Sequence, residues 1–442
     1  MNQEHQVKVR EIAAGIQERI ADKQPVHISK GGVSHFVPMP NDVRRKSLPI
    51  DISMLNNILE IDVKNQRCIA EPGVTFAQLL RATLAKGLIP MVVPELEGIT
   101  VGGAVAGCSV ESMSHRYGGF HDGCEEYEVI TGEGKILTCS PTQEPLLFEM
   151  IHGSYGTLGV LTRLTFKLLP AKPFVKLEYR KFDNFAAYQA EMLRLCKSGE
   201  FEFIDGIIHD RKTFVLCLGT FVEQAPYVSD YRWLNIYYKS TRTKSEDYLT
   251  TFDYCFRYDT ECHWITKSIP LLELKPVRLV VGKFVLGSTN LIKWSRRVEG
   301  VLKLKKRPDV VCDIFIPARR FGDFWKWYES EFDFFPLWVI PYRIPKVYGW
   351  VSKTHGARMQ DDLLIDCAVY GKPNGKAGVD YSKVLEDKTY ELDGVKTLIS
   401  RNHYTKERFW EIYNRENYDQ AKLRLDPKAV FPGLFEKFHR VE

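Results

Sequence analysis

Thr100-Val101-Gly102-Gly103-Ala104-Val105-Ala106-Gly107 is the stretch on which the reading of this chain turns. Its side chains stay small, so its backbone can lie against a flat or charged ligand. The same property suits the tight crossing of two backbones. Two other glycine-bearing segments accompany it: Lys30-Gly31-Gly32-Val33-Ser34-His35 before it, and Gly153-Ser154-Tyr155-Gly156-Thr157-Leu158-Gly159-Val160-Leu161-Thr162 after it. Each is flanked by strand-like sequence, and a glycine pair lets backbone N–H groups close on phosphate oxygens. Alone, Gly31-Gly32 would serve any strand-to-helix turn. Together the three segments imply one long phosphate-bearing cofactor, with FAD as the expectation.

Other nucleotide sites are poorly supported. No G-x-G-x-x-G stands between a strand and a helix, and there is no G-x-x-x-x-G-K-[ST]. Neither a Rossmann site nor a P-loop is therefore indicated. The segment ending at Gly159 leads into a strand, which is the wrong order for a Rossmann turn.

The chain has 442 residues, more than a single core usually holds, and predicts two domains. With 44% hydrophobic and 26% charged residues it has a soluble, globular composition. No run approaches the length of a membrane span, and the first residues lack a secretion signal's basic-then-apolar pattern, so a cytoplasmic protein is expected. The ten cysteines contain no C-x-x-C pair and read as buried thiols, with no metal site. A net charge of +5 is too small to argue for nucleic acid. The densest basic run, Lys303, Lys305, Lys306 and Arg307, reads first as a solvated face. Its functional reading is attraction to a nucleotide phosphate or to an anionic membrane surface, that is, peripheral membrane contact. Aromatic residues make up 12% of the sequence and are plentiful in its second half, which suits a core and also an apolar substrate pocket.

Periodicity sets the elements. Val9, Ile12, Ala13, Ile16 and Ile20 share a face of a helix over residues 6–21. Thr75 should cap a helix carrying Phe76, Leu79, Leu80 and Leu84, with Gly87 ending it. Strands are expected at 26–29, 48–55, 58–63, 127–131, 135–139 and 160–168. Pro170-Ala171-Lys172-Pro173 marks a domain boundary. Beyond it, Asn184 should cap a helix with Phe185, Tyr188, Met192 and Leu195, and strands follow at 201–208, 213–218, 310–316, 337–340 and 363–370. Residues 406–419 read as one helix holding Phe409, Trp410 and Tyr413. No internal repeat is present.

In this order the three glycine segments resemble the vanillyl-alcohol oxidase / p-cresol methylhydroxylase class of FAD enzymes. The resemblance covers roughly residues 25–170. It implies an α+β, two-domain FAD-linked oxidase fold: a FAD-binding domain over 1–173, an antiparallel-sheet cap domain over 174–400, and a C-terminal helical segment over 401–442 that completes the active site or packs on the FAD domain. By resemblance Gly31, Gly32 and Ser34 hold the pyrophosphate. Thr100, Gly102, Gly103, Ser109 and Ser112 line pyrophosphate and flavin, and Gly156, Gly159 and Val160 face the ribityl or adenosine part. Covalent members often place a histidine just before the serine. Here His35 follows Ser34, so non-covalent FAD is expected.

A narrower resemblance, to the delta-24-sterol reductase group (24-dehydrocholesterol reductase, seladin/Dwarf1), rests on Pro94–Gly103, Val110–Gly118, Phe335–Pro345 and Glu407–Tyr413. These patches fall in both domains, which a shared cofactor alone would not require. Where many oxidases of the class carry His-Gly, this sequence has Val110-Glu111, and the group shares the glutamate. Residues 400–404 match the group poorly. The group uses NADPH through FAD to reduce an isolated C=C bond in the aliphatic tail of a sterol, so an apolar small-molecule or lipid substrate is implied. Such a reduction needs a hydride on one carbon and a proton on the other. Candidate acids by resemblance are Glu111 and His115 near the flavin segment, and Tyr342 or His403 from the cap. Each also has a bland role: Glu111 fixing amides, His115 bonding the cofactor, Tyr342 as pocket wall, His403 in a surface loop. Two other functions remain open, an FAD oxidase or dehydrogenase of an alcohol, sugar or hydroxy acid, and a flavin-binding interaction protein without turnover.

Overall fold

The computed structural model describes residues 3–21, 25–30, 47–262, 265–268, 271–290 and 309–439. Gly31, Gly32, Ser34 and His35 therefore lie outside the described residues. Helix Gln3–Ala21 buries Val9, Ile12, Ala13 and Ile16, the stripe expected from their spacing. Strands β1 (Val26–Ser29) and β2 (Leu48–Asp51) pair in parallel. The run expected to continue to Leu55 stops at Asp51, whose carboxylate accepts the Ser53 N–H at 2.8 Å and turns the backbone.

The first main sheet is built on β8 (Val160–Pro170), where apolar residues alternate with Arg163, Thr165 and Lys167. Beside it lie β4 (Arg67–Ala70) and β6 (Cys124–Ile130), with β3 (Ile58–Asp62) and β7 (Ile136–Cys139) outside them; β5 (Leu88–Pro90) pairs with the end of β8. Helix Phe76–Leu84 packs on this sheet. Its cap is Thr75, which accepts the Gln78 N–H at 3.2 Å, and Gly87 turns the backbone beyond it at φ +69°. Phe120 joins helix and sheet, edge-on to Phe76 at 5.0 Å and to Phe166 at 5.2 Å.

Beyond Pro173 the sequence forms one eight-stranded antiparallel sheet, in the order β12 (Glu246–Thr250), β9 (Phe174–Phe182), β11 (Thr213–Val222), β10 (Phe203–Asp210), β14 (Leu337–Arg343), β15 (Leu363–Lys372), β13 (Val310–Pro317), β16 (Val395–Lys396). Both faces are buried, so β10, β14 and β15 read as nearly continuous apolar runs. Ile204, Ile208, Leu216, Val339 and Ile365 face helices Phe185–Ser198 and Phe321–Trp327. Their alternates Phe203, Ile207, Cys217, Trp338, Ile340 and Leu364 share one core with the first sheet's helices. The cap sheet is thus clamped to the first half by its inner face.

The helix expected over 406–419 is two helices, Lys406–Ile412 and Arg415–Leu425. Tyr413 between them is extended and bridges to Val351, and Asn414 caps the second helix by accepting the Asn417 N–H at 3.0 Å. This C-terminal segment returns to the first half. Val26 N–H donates to Val430 O at 3.0 Å, Gly132 N–H to Leu425 O at 2.7 Å, and Lys422 Nζ to Thr157 O at 2.7 Å. Buried Asp426 fixes the return by accepting from Val430 N, Phe431 N and Lys422 Nζ.

His5 locks the first helix down. Protonated, it donates to Glu71 at 2.8 Å and to Glu128 at 3.0 Å. Burial pulls its pKa down, but the bonds to Glu128 and Glu71 win and raise it to about 9. A raised histidine pKa stabilises the fold fully below the unfolded value of about 6.5 and loses that contribution as pH rises through the folded value. Thermal midpoints measured across pH 6 to 10 should therefore fall progressively in the wild type between about 6.5 and 9, and His5→Gln should remove that slope.

Candidate cofactor and active site

The fold brings the glycine segments together. Thr100 caps helix Val101–Ala106 by accepting the Gly103 N–H at 3.3 Å, and its hydroxyl also receives Lys30 Nζ at 3.3 Å. Tyr155 N–H donates to Ala106 O at 3.0 Å, tying the third segment to the second. Lys30, the one described residue of the first segment, thus meets the second.

The two central glycines differ. A Cβ on Gly102 would lie 2.5 Å from Pro72 Cβ, and its N–H already donates to Pro72 O at 3.0 Å. Gly102 therefore serves the backbone crossing. Among the described residues, a Cβ on Gly103 would meet the Thr100 hydroxyl at 3.1 Å and the Lys30 ammonium at 3.3 Å. Bare backbone beside a cation is a setting for an anionic pyrophosphate. Gly156, at φ +71°, has Ile28 against it, and a Cβ on Gly159 would lie 2.8 Å from Ile130 O. Gly159 and Val160 thus form the β6–β8 contact. Ser109 is held by backbone bonds to Ala104 and Phe120. These residues fit FAD: Lys30, Thr100 and Gly103 would hold its phosphates, with Gly156 beside them.

Glu111 and Ser112 join a buried network that crosses to the cap. Arg257 Nη2 donates to Glu111 at 2.8 Å and to Asp205 at 3.1 Å. Tyr258 OH and Trp338 Nε1 donate to the same Asp205 oxygen, both at 2.8 Å. The guanidinium lies over Tyr254 at 4.2 Å and Tyr258 at 4.7 Å. Ser112 donates to Glu111 through both N–H and hydroxyl, and Ile204 N–H reaches Ser112 O at 2.8 Å. Burial pushes the Glu111 carboxyl up, and the Arg257 guanidinium opposes it. Tyr254 and Tyr258 thus flank an arginine instead of lining a substrate pocket.

An apolar cleft of ≈ 40 Å³ opens between the halves. Cys108, which follows the glycine helix, lines it together with Phe315, Tyr342, Tyr348, Trp350 and Leu364. Two of its tyrosines lead a hydrogen-bonded chain. The Tyr342 and Tyr348 hydroxyls stand 2.6 Å apart, and Tyr348 donates to Asp122 at 2.7 Å. Burial raises both phenol pKa values, so both remain protonated donors. Asp366 shares the Leu364 face of β15, two residues along. Burial, then the charges of Asp313 and Glu95, hold its carboxyl well above the ordinary range, and one of its buried oxygens has no partner among the described residues.

Of the acids expected from sequence, only Tyr342 lines this cleft. Glu111 is committed to Arg257 and Ser112. His115 donates from Nδ1 to Ser112 O at 2.9 Å, and burial lowers its pKa to about 4, leaving a neutral ring with its one proton engaged. His403 is also lowered, to about 4 by burial; its N–H donates to Glu386 and its ring lies against Asp380, away from the cleft lining. Asp122, Tyr348, Asp366, Arg257 and Lys30 escaped the sequence reading. Arg257, a lone cation inside an aromatic run, and Lys30, next to a glycine pair, were the only two with a local signal.

Residues 8–140 match the family model of the FAD binding domain. Those residues are thus similar to a FAD-binding domain. The protein is 27% identical to the human protein named Delta(24)-sterol reductase over 397 residues, 87% of this sequence and 76% of the relative. It is 24% identical to the Arabidopsis thaliana Delta(24)-sterol reductase over 98% of this sequence and 84% of the relative. Rice cytokinin dehydrogenase 9 is 31% identical over 150 residues, 33% of this sequence and 28% of the relative. The last match is confined to a third of the sequence, whereas the sterol reductases extend through the cap.

Two substitutions test the site. Gly103→Asp sets a carboxylate beside Lys30 and should reduce the FAD retained on purification at least about tenfold, with an unchanged circular dichroism spectrum. Arg257→Met strands two buried carboxylates and should cost about 3–5 kcal/mol in denaturant unfolding.

Proposed function

We propose that this protein is a FAD-dependent reductase of an isolated C=C bond in a sterol or isoprenoid-like lipid, with NADPH as the electron donor. The observation that carries the reading is the extent of the similarity to Delta(24)-sterol reductases. It runs through the cap as well as the FAD-binding half, and so includes the strand bearing Tyr342. The cleft supports it: its walls are largely apolar, and the Tyr342 phenol that lines it is a proton donor.

FAD, when bound, supplies the hydride for such a reduction. The protein must then hold the alkene, exclude water and deliver one proton to the second carbon. Tyr342 is the donor facing the cleft. The Tyr348 hydroxyl, 2.6 Å away, positions that of Tyr342, and solvent returns the proton it gives up once the product leaves. Asp366, kept neutral nearby, is a second protonated group on the same sheet face. At ≈ 40 Å³ the cleft holds less than a sterol, so the substrate enters by parting its aromatic walls.

The cytokinin dehydrogenase match favours a second reading, oxidation of a CH–OH or CH–NH substrate by the same cofactor. An anaerobic absorbance titration separates the two. Bleaching of the bound flavin by NADPH, followed by reoxidation on adding a prenyl-type alkene or a sterol with an unsaturated tail, is the expected result. A flavin indifferent to NADPH, but bleached by an alcohol or amine and rapidly reoxidised by oxygen, would sink the reductase reading. Tyr342→Phe should slow alkene reduction about 10²-fold or more while leaving bleaching by NADPH unchanged.

A further inference from the structure

One loop stands between the cleft and solvent. Phe315, Tyr342, Leu364 and Val395 line the cleft from four strands of the cap sheet, and Cys108 lines it from the first half. Most of the remaining wall is the loop between β14 and helix Lys353–Met359, which contributes Ile344, Val347, Tyr348, Trp350 and Val351. Val347 lines the cleft and is also 57% exposed, so a single side chain divides the cleft from water there. It rests on bare backbone at Gly356, where a Cβ would stand 2.8 Å from Val347 Cγ1.

Backbone bonds tie both ends of this loop. Ile344 N–H donates to Asp362 O at 2.8 Å. At the other end Asn414 N–H donates to Trp350 O and Ser352 N–H to Ile412 O, both at 2.8 Å. The middle is held by side chains of the first half and the C-terminal segment. On the cleft side Tyr348 donates to Asp122 at 2.7 Å. On the outer side Glu149, from helix Pro145–Ile151, accepts from Lys346 Nζ and from Gly349 N–H, the latter at 3.4 Å. Asn417 Nδ2 donates to Gly349 O at 2.8 Å. These outer ties are weak. Lys346 is 56% exposed, so its ion pair gains little over water and is screened by salt. The Gly349 N–H bond lies at the long limit of hydrogen bonding. Arg257, fully buried between carboxylates of the two halves, has no such freedom. The outer loop is therefore free to leave while the halves stay clamped.

We propose that loop 344–352 is the gate of the cleft and that Glu149 is its latch, a positioning residue. Parting Lys346 and Gly349 from Glu149 frees Val347 to leave the mouth, while Tyr348 keeps its place on Asp122. A molecule larger than the ≈ 40 Å³ cleft then enters, and reclosing shuts water out. The proposal rests on the reading of the cleft as the substrate site and not on the reaction performed there. The test is the rate at which N-ethylmaleimide labels Cys108 in the purified flavoprotein, followed by peptide mass spectrometry without substrate or NADPH. Cys108 is half-buried, and the other nine cysteines are buried. Glu149→Ala should speed Cys108 labelling at least about fivefold, and Lys346→Met, at an exposed position, about twofold or more. Raised salt should speed labelling of the wild type but not of Glu149→Ala. Cys68 and Cys217, fully buried in the two sheets, should label at unchanged rates in each variant. Equal Cys108 rates in the wild type and both variants would overturn the proposal. Matching acceleration at Cys68 and Cys217 would also overturn it, by showing that Glu149 only stabilises the fold. Because labelling is read without turnover, its outcome is separate from that of the NADPH titration.

Discussion

The arrangement depends on a single buried cation. Arg257 stands between Glu111 of the first half and Asp205 of the cap sheet, with aromatic rings on its faces. Removing three charges from water is costly, and only close geometry and further hydrogen bonds recover that cost. Ser112, Tyr258 and Trp338 provide those bonds. An apolar contact would let the halves slide; a charge whose partners come from both does not. The network therefore fixes the register of the glycine helix against the cap strands, and with it the position of the cleft.

That register explains the division of labour along 100–122. Gly102 is consumed by the crossing with Pro72, Gly103 is left bare beside Lys30, and Cys108 reaches the cleft. Glu111 and Ser112 then turn into the ion-pair network, and Asp122 returns to the cleft through Tyr348. One short segment thus meets Lys30, the cap and the cleft in turn.

The sequence alone determined what local forces settle. Apolar spacing fixed the helices, side-chain oxygens at Thr75 and Asn184 fixed their starts, and alternation with turn residues fixed most strands. The close backbone approach at Gly102 was legible because a missing Cβ is written in the sequence itself. The errors were local signals overruled: Asn414 ended a helix that its apolar pattern would have continued, and Asp51 ended a strand.

Only the tertiary structure decided which polar groups are free to act. Asp122 and Tyr348 are 226 residues apart, and Glu111 and Arg257 are 146 apart. A proton's availability depends on burial and on partners brought in from such distances. His115 and Glu111 therefore looked like acids in the sequence and are engaged in the fold, whereas Asp366 looked like part of an apolar strand and is a carboxyl that burial pushes well above its ordinary range.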